Sequence, residues 1–195
     1  ETRSSALSRL LKRELPAAAI RRIWHTLPEH AFLRLSADQL EWATEAVIRG
    51  EEEYRKRDGA TQPGTEVHIA VRGVQPHGVS ELLVCVPDHD GLFASITSVL
   101  DEMGFNVLAA RILTTRDGRS FDLFQLMDQQ DNVINQQDAA DLVERLKSAT
   151  TATEVRPLVR RAMPRRLRHF VSHPLIRFEP DPEGMGTILE LECND

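Results

Sequence analysis

The chain has 195 residues, with 30 acidic residues against 24 Lys and Arg for a formal net charge of −6, and 41% of it is hydrophobic. This composition suits one or two small globular units and excludes a disordered or fibrous chain, and the acidic balance argues against nucleic acid as a partner. No apolar run approaches the roughly 18 residues that a membrane-spanning helix needs.

The chain opens at Glu1 without Met or a leader pattern and stops inside the strand-like "LELECND", so it reads as a piece of a longer polypeptide. Leu7, Leu10, Leu11 and Leu15 recur at helical spacing, and Pro16 closes that segment. A second helix is predicted over Ala17 to His25. Trp24, Leu27, Phe32, Leu33 and Trp42 are expected to form a local core, with His25 and His30 on the surface. Ser36-Ala37-Asp38-Gln39 reads as a capping box opening a helix with Leu40, Ala43 and Val47 on one face. Gly50 is a candidate stop for that helix, although the charged run from Glu51 to Arg57 can continue it. The turn-rich "DGATQPG", Asp58 to Gly64, marks a boundary, after which the period changes from helix to strand.

Val67, Ile69 and Val71 alternate with His68 and Ala70, and "GVQPHG" is a loop leading to a second strand that ends at Val86. Asp90 to Met103 is amphipathic, with Leu92, Phe93, Ile96, Val99, Leu100 and Met103 on one face and Gly104 as its C-cap. A strand follows from Phe105 to Thr114, then the hairpin signal Asp117-Gly118 and a returning strand from Phe121 to Met127. Phe124 falls on the opposite face from Phe121 and Leu123, so neither face of this strand is expected to be fully solvated. Asp138 is the predicted N-cap of a helix carrying Leu142, Val143 and Leu146.

Thr65 to Ala149 therefore reads strand, strand, helix, strand, strand, helix. This is an α+β, ferredoxin-like unit whose final strand is missing and whose place is taken by an extra strand at the front. The predicted architecture is a four-stranded antiparallel sheet with two helices on one face, preceded by a small helical segment. A shift of 107 residues places Ile69 on Ile176, Val71 on Phe178, Leu82 on Leu189, Val84 on Leu191, Val86 on Cys193 and Asp88 on Asp195. The chain then divides into a helical segment (1–57), the complete unit (65–150), a linker (151–172) and the opening hairpin of a second unit (173–195). Within the linker, "RPLVRRAMPRRLRH", Arg156 to His169, reads as a solvated stretch or as a docking surface for an acidic neighbour. Cys85 and Cys193 sit in strand-like runs and read as reduced core thiols of a cytoplasmic protein.

The chemistry concentrates in "VPDHDGLF", where an apolar strand ends in Pro, two acids, a His and a Gly just before a helix. Asp88, His89 and Asp90 are adjacent and point in different directions, and no second His/Asp cluster has matching spacing, so a metal site is not expected. No nucleophile elbow, phosphate loop or paired-carboxylate arrangement is visible, and Ser95 and Thr97 read as ordinary helix residues. A ligand needs less: Gly91, Leu92 and Phe93 open a helix, whose N-terminus favours an anion such as an amino-acid carboxylate. Asp88 offers a partner for an ammonium group, and Asn106, at the start of the next strand, a side-chain amide. The spacing equally allows Asp88 and Asp90 to cap this helix and Asn106 to cap its end.

The segment "VPDHDGLFASITSVLDEMGFNVLAARILTTRDGRSFDLFQLMD" resembles the ACT domain, a regulatory module that often binds amino acids. Asp88-His89-Asp90-Gly91-Leu92 matches its D-x-P-G-L turn with Asp90 where Pro is usual. "ARILTTRDGRSFDLFQL", together with "HAFLRLSADQLEWATEAVI" and "MPRRLRHFVSHPLIRFEPD", is similar to the bifunctional PII uridylyltransferase/uridylyl-removing enzymes of bacterial nitrogen control. The resemblance implies a C-terminal fragment containing the first ACT domain, with effector contacts at Asp88, His89, Asp90, Gly91, Leu92, Phe93 and Asn106. It implies L-glutamine as effector, the PII signal protein as partner of the parent enzyme, and Mg and UTP as the parent's cofactors, with none in this fragment. The orphan hairpin has an unpaired edge and is expected to add to the ACT sheet of its own chain or of a second chain, giving a homodimer through the ACT sheet or that hairpin. The rival expectation is a module that binds no ligand and only positions its neighbours.

Overall fold

The helical spacing at the N-terminus yields α1 (Thr2–Lys12), α2 (Ala17–Thr26), the short α3 (Ala31–Arg34) and α4 (Ala37–Asp58). The computed structural model describes residues 2–58, 66–74, 78–151, 175–180 and 187–192. The capping box forms as the sequence predicts: the Gln39 N–H donates to Ser36 Oγ and the Ser36 N–H to Gln39 Oε1, each at 3.1 Å. Leu40, Ala43 and Val47 are buried among Leu10, Ile20, Ile23 and Trp24, and Trp24 Nε1 donates to Thr44 Oγ1 at 2.9 Å, pinning α2 to α4. Leu33 departs from the expected local core, being 88% exposed.

Gly50 does not stop α4, which runs on to Asp58. Its lack of a side chain serves a close approach instead, since a Cβ there would lie 2.5 Å from His68 Nδ1.

The sheet has the order β1-β2-β4-β3, all pairs antiparallel. Its strands are β1 (His68–Val74), β2 (Val79–Pro87), β3 (Asn106–Arg111) and β4 (Arg119–Met127). The front strand β1 takes the edge that a final strand occupies in the ordinary ferredoxin-like unit, as the chain order requires. β3 is shorter than the predicted Phe105–Thr114 run: its ladder shifts register between Val107 and Ala109, and beyond Arg111 only Thr114 bridges back, to Ser120. α5 (Leu92–Glu102) and α6 (Gln136–Thr151) pack on one face against Leu82, Val84, Val86, Phe124 and Leu126. Gly104 (φ 74°) closes α5, with the Phe105 N–H reaching Leu100 O at 3.0 Å. The N-cap of α6 is Asn135 rather than Asp138: Asn135 Oδ1 accepts the Asp138 N–H at 2.9 Å, and Asp138 Oδ2 accepts from Asn135 Nδ2 at 2.7 Å. The short amide one turn earlier reaches the free N–H that Asp138, already inside the helix, cannot reach.

The helical segment is not an appendage. Leu83, Cys85, Leu113, Phe121 and Leu123, on the second face of the sheet, belong to the same core as α1, α2 and α4. The sheet is therefore filled on both faces, which is why its central strands read as near-continuous apolar runs rather than as a clean alternation.

The chain divides into two units, Glu1–Leu158 and Val159–Asp195. In the second, β5 (Leu175–Pro180) pairs antiparallel with β6 (Thr187–Glu192). Ile176 faces Leu191 and Phe178 faces Leu189, as Ile69 faces Val84 and Val71 faces Leu82, so both hairpins keep one register under the shift of 107. Cys193 and Asp195, which complete the repeat, lie outside the described residues.

Candidate functional site

Strand β2 ends at Pro87, and the turn to α5 is held from three sides. The Asp88 N–H donates to Gly118 O at 3.1 Å, the Leu92 N–H to His89 O at 3.1 Å, and His89 Nε2 lies 3.2 Å from Thr150 O near the end of α6. Gly91 is the N-cap, in the left-handed region at φ 80°, and no side chain caps the helix there. Asp88 and Asp90 thus do not act as its caps. Asp88 Oδ2 instead accepts from Thr114 Oγ1 at 3.4 Å. Leu92 is buried, while Phe93 is 50% exposed with its ring stacked on Phe124. The result is an open, acidic ledge built from Asp88, His89, Asp90, Gly91 and Phe93.

Asn106 is not part of that ledge. It pairs with Met127, whereas Pro87 pairs with Arg119 at the opposite end of the same strand. Eight residue steps separate those two ends, roughly 26 Å at the usual rise of a strand. The cause is topological. Helix α5 runs back along the sheet, so the strand after it starts at the far end, and Asn106 Nδ2 donates to Asp128 O at 3.4 Å.

Beside the ledge sits a residue that sequence reasoning placed only in an alternation, Asp122. It is 2% exposed, accepting from Ser120 Oγ and, at 3.1 Å, from the Leu113 N–H. Burial pushes its carboxyl above the usual range, the two hydrogen bonds oppose that, and Asp88 adds to it. A carboxylate inside "SFDLFQL" is the signal that marks it.

The hairpin between β3 and β4 joins the ledge to the helical layer. Gly118 accepts from Asp88 on one side. On the other, the Arg116 N–H donates to Thr26 O at 2.7 Å and its guanidinium to His25 O at 3.1 Å. Those are carbonyls of the last turn of α2, which have no partner within their own helix. Farther along the sheet, buried Glu81 accepts from Gln39 Nε2 at 2.7 Å and from Arg72 Nε at 2.9 Å, and Arg72 also lies 4.6 Å over the Trp42 ring. Gln39 therefore serves the capping box of α4 and the sheet at once.

Two of the cavities among the described residues lie away from the ledge. One of about 1040 Å³ runs along β1 between α4 and α6. The other, about 350 Å³, lies between α2, α4 and the helical face of the sheet. No group of three His, Cys, Asp or Glu among the described residues is placed to hold a metal ion. No helix among them is long and apolar enough to cross a membrane.

Residues 1–46 match the model of the uridylyltransferase GlnD fifth domain, and residues 80–150 that of the ACT domain. Over all 195 residues the chain is 30% identical to bifunctional uridylyltransferase/uridylyl-removing enzymes of Xanthomonas campestris pv. campestris (strain B100) and Xanthomonas axonopodis pv. citri (strain 306). Over 189 residues, 96% of the chain, it is 27% identical to the enzyme of the same name from Vibrio vulnificus (strain YJ016), of which it covers 20%. The chain spans about a fifth of the length of these relatives, 21% of each Xanthomonas protein. With the four-stranded antiparallel sheet of the ACT fold in place, the chain contains an ACT domain and is similar over its whole length to a part of the bifunctional uridylyltransferase/uridylyl-removing enzymes.

Proposed function

We propose that this chain is the effector-reading part of such an enzyme, taking L-glutamine at the ledge from Asp88 to Phe93 and passing its occupancy to the helical layer. An ACT domain in this family supports a regulatory role; glutamine is the finer reading. The observation that carries it is the shared hairpin, held by Asp88 through Gly118 and gripping the end of α2 through Arg116. Asp88 meets the ligand's ammonium group, and the first turn of α5 its carboxylate. Asp90, exposed at the same turn, makes the ammonium the firmer anchor. Because the ledge is open, a second surface closes over the ligand, and Asn106 does not contact the same molecule within one sheet. In the parent enzyme, in the cytoplasm, the signal sets the balance between uridylylation of the PII protein, with UTP and Mg, and its reversal.

The test is calorimetric titration of L-glutamine, with L-glutamate and glycine as controls, into this chain and into one extended through the next ACT domain. Saturable heat for glutamine, lost in Asp88→Ala, supports the proposal. Absence of heat in both chains sinks it. A second reading, a module that binds nothing and pairs with another copy, is favoured by the edge strand β3, where Val107, Leu108 and nearby Ile112 are exposed. A dimer in light scattering that Leu108→Lys dissolves would support that reading.

A further inference from the structure

His89, in the middle of the ledge, has a backbone carbonyl at each ring nitrogen. Nδ1 lies 3.0 Å from Asp90 O in its own turn, and Nε2 lies 3.2 Å from Thr150 O, 61 residues away in the last turn of α6. A carbonyl oxygen can only accept. A neutral imidazole has one N–H and one bare lone pair, so it donates to one of these oxygens and turns the lone pair on the other, whereas an imidazolium donates to both. Carbonyls in the last turn of a helix have no partner within it, and the helix dipole favours a cation there. The acids around the ring are Asp88 and Asp90 on its own turn, Asp117 on the hairpin that holds Asp88, and Asp122 beside it. The bases of the neighbouring elements are engaged: Arg116 donates to His25 O, Arg119 to Glu66 O and Cys85 O, and Lys147 to Glu144 at 2.9 Å. The first turn of α5, residues 92–95, carries no charged side chain.

We infer that His89 is a proton-operated clasp between the effector turn and the end of α6. With the ring neutral, one of the two bonds is open. With it charged, both close, and the turn and the helix end are held as one piece. Histidine ordinarily changes charge near pH 6.5, so the clasp tightens as pH falls through neutrality. The hairpin link from Asp88 to α2 is made by backbone amides and an arginine, which do not titrate in that range. Acidification therefore acts on the α6 side of the turn alone. The clasp is present without ligand, and its part as a second input to effector reading rests on the ledge being the effector site.

Hydrogen exchange followed by mass spectrometry tests this in the unliganded 195-residue chain. The peptides span residues 88–93 and 146–151, with one from β2 as internal reference. The comparison is His89→Gln, whose amide donates but does not titrate. At about pH 5.5, below the ordinary histidine range, both peptides of the parent should exchange about fivefold more slowly than in the variant, the worth of one hydrogen bond. At about pH 8 the two proteins should agree within about twofold. Each ratio is taken at one pH, so the pH dependence of exchange itself and of other groups cancels. The double variant Asp88→Asn, Asp90→Asn should keep the slowing at low pH. Equal ratios at both pH values overturn the inference. So does slowing confined to residues 88–93, which would limit the proton's effect to its own turn, or slowing lost in the double variant, which would assign the effect to the carboxylates. Glutamine is absent from every arm, so a ledge that binds nothing leaves the result unchanged.

Discussion

Acidification tests the seam between helices and sheet through His68. In the folded protein its imidazole stays neutral down to about pH 4, chiefly because burial penalises the charged form, with Arg119 and Arg22 adding to the effect and Glu66 opposing it. In the unfolded chain it takes a proton near pH 6.5. Between those values the unfolded state binds more protons, so stability falls as pH falls through that window and is little affected above pH 7. At about 1.4 kcal/mol per pH unit, the loss is about 2 kcal/mol from pH 7 to pH 5 and about 3 kcal/mol by pH 4. Urea unfolding at several pH values, run on the parent and on His68→Gln, isolates the term, because other titrating groups cancel in the difference. The parent should lose about 2 kcal/mol more than the variant between pH 7 and pH 5. Parallel pH profiles would refute the reasoning and show that water reaches the ring in the folded state.

Asp122→Asn has the opposite sign. The folded carboxyl titrates above its unfolded value, so its stabilisation is present at low pH and lost as pH rises; the variant should gain on the parent between pH 4 and pH 7 in the same unfolding assay. Gly50→Ala should destabilise by about 1 kcal/mol, because the methyl meets His68 at 2.5 Å and overpacking outweighs the ~1 kcal/mol gain in helix propensity. Glu81→Ala should cost about 2 kcal/mol in urea unfolding by stripping Arg72 and Gln39 of their buried acceptor, and should speed hydrogen exchange in the first turn of α4. A chain beginning at Ser80 should aggregate. It uncovers Leu83, Cys85, Leu113, Phe121 and Leu123, about 10 kcal/mol of burial at ~2 kcal/mol each, as much as a small domain's whole stability. A monomeric, cooperatively melting product would contradict this.

The strand order was legible because periodicity and chain order act locally: alternation at Val67–Val71, the Asp117-Gly118 turn and the Ser36/Gln39 box each fix one piece, and the handed connections leave few ways to assemble them. The exposed ledge was legible because an apolar strand ending in charge has no packing explanation. What stayed hidden depends on distant partners. Gly50 looks like a helix stop until His68 arrives from another element, and Asn106 looks adjacent to Asp88 only while the direction of α5 is ignored. The alternation of Phe121 and Phe124 already said that both faces are covered, but not by what. Asp122 was invisible as a site because a lone acid in a strand is ordinarily placed on the solvated side.

The two matched segments, 1–46 and 80–150, leave out the pieces that make them one body. Strand β1 lies between them, yet it completes the sheet edge, supplies Arg72 to the buried Glu81 and brings His68 against Gly50. The second half of α4 also falls in the gap, and Glu51 near its middle pairs with Arg22 of α2. An effector acting on an isolated ACT sheet would need some other element to carry its signal. Here the covering helices share a core with the sheet, and one hairpin holds the ledge by Asp88 and the end of α2 by Arg116. Small displacements at the ledge therefore act on a packed interface, and packed interfaces shift between discrete arrangements rather than deforming continuously. Arg116 is thereby the contact through which a ligand at Asp88 would act on the helical layer.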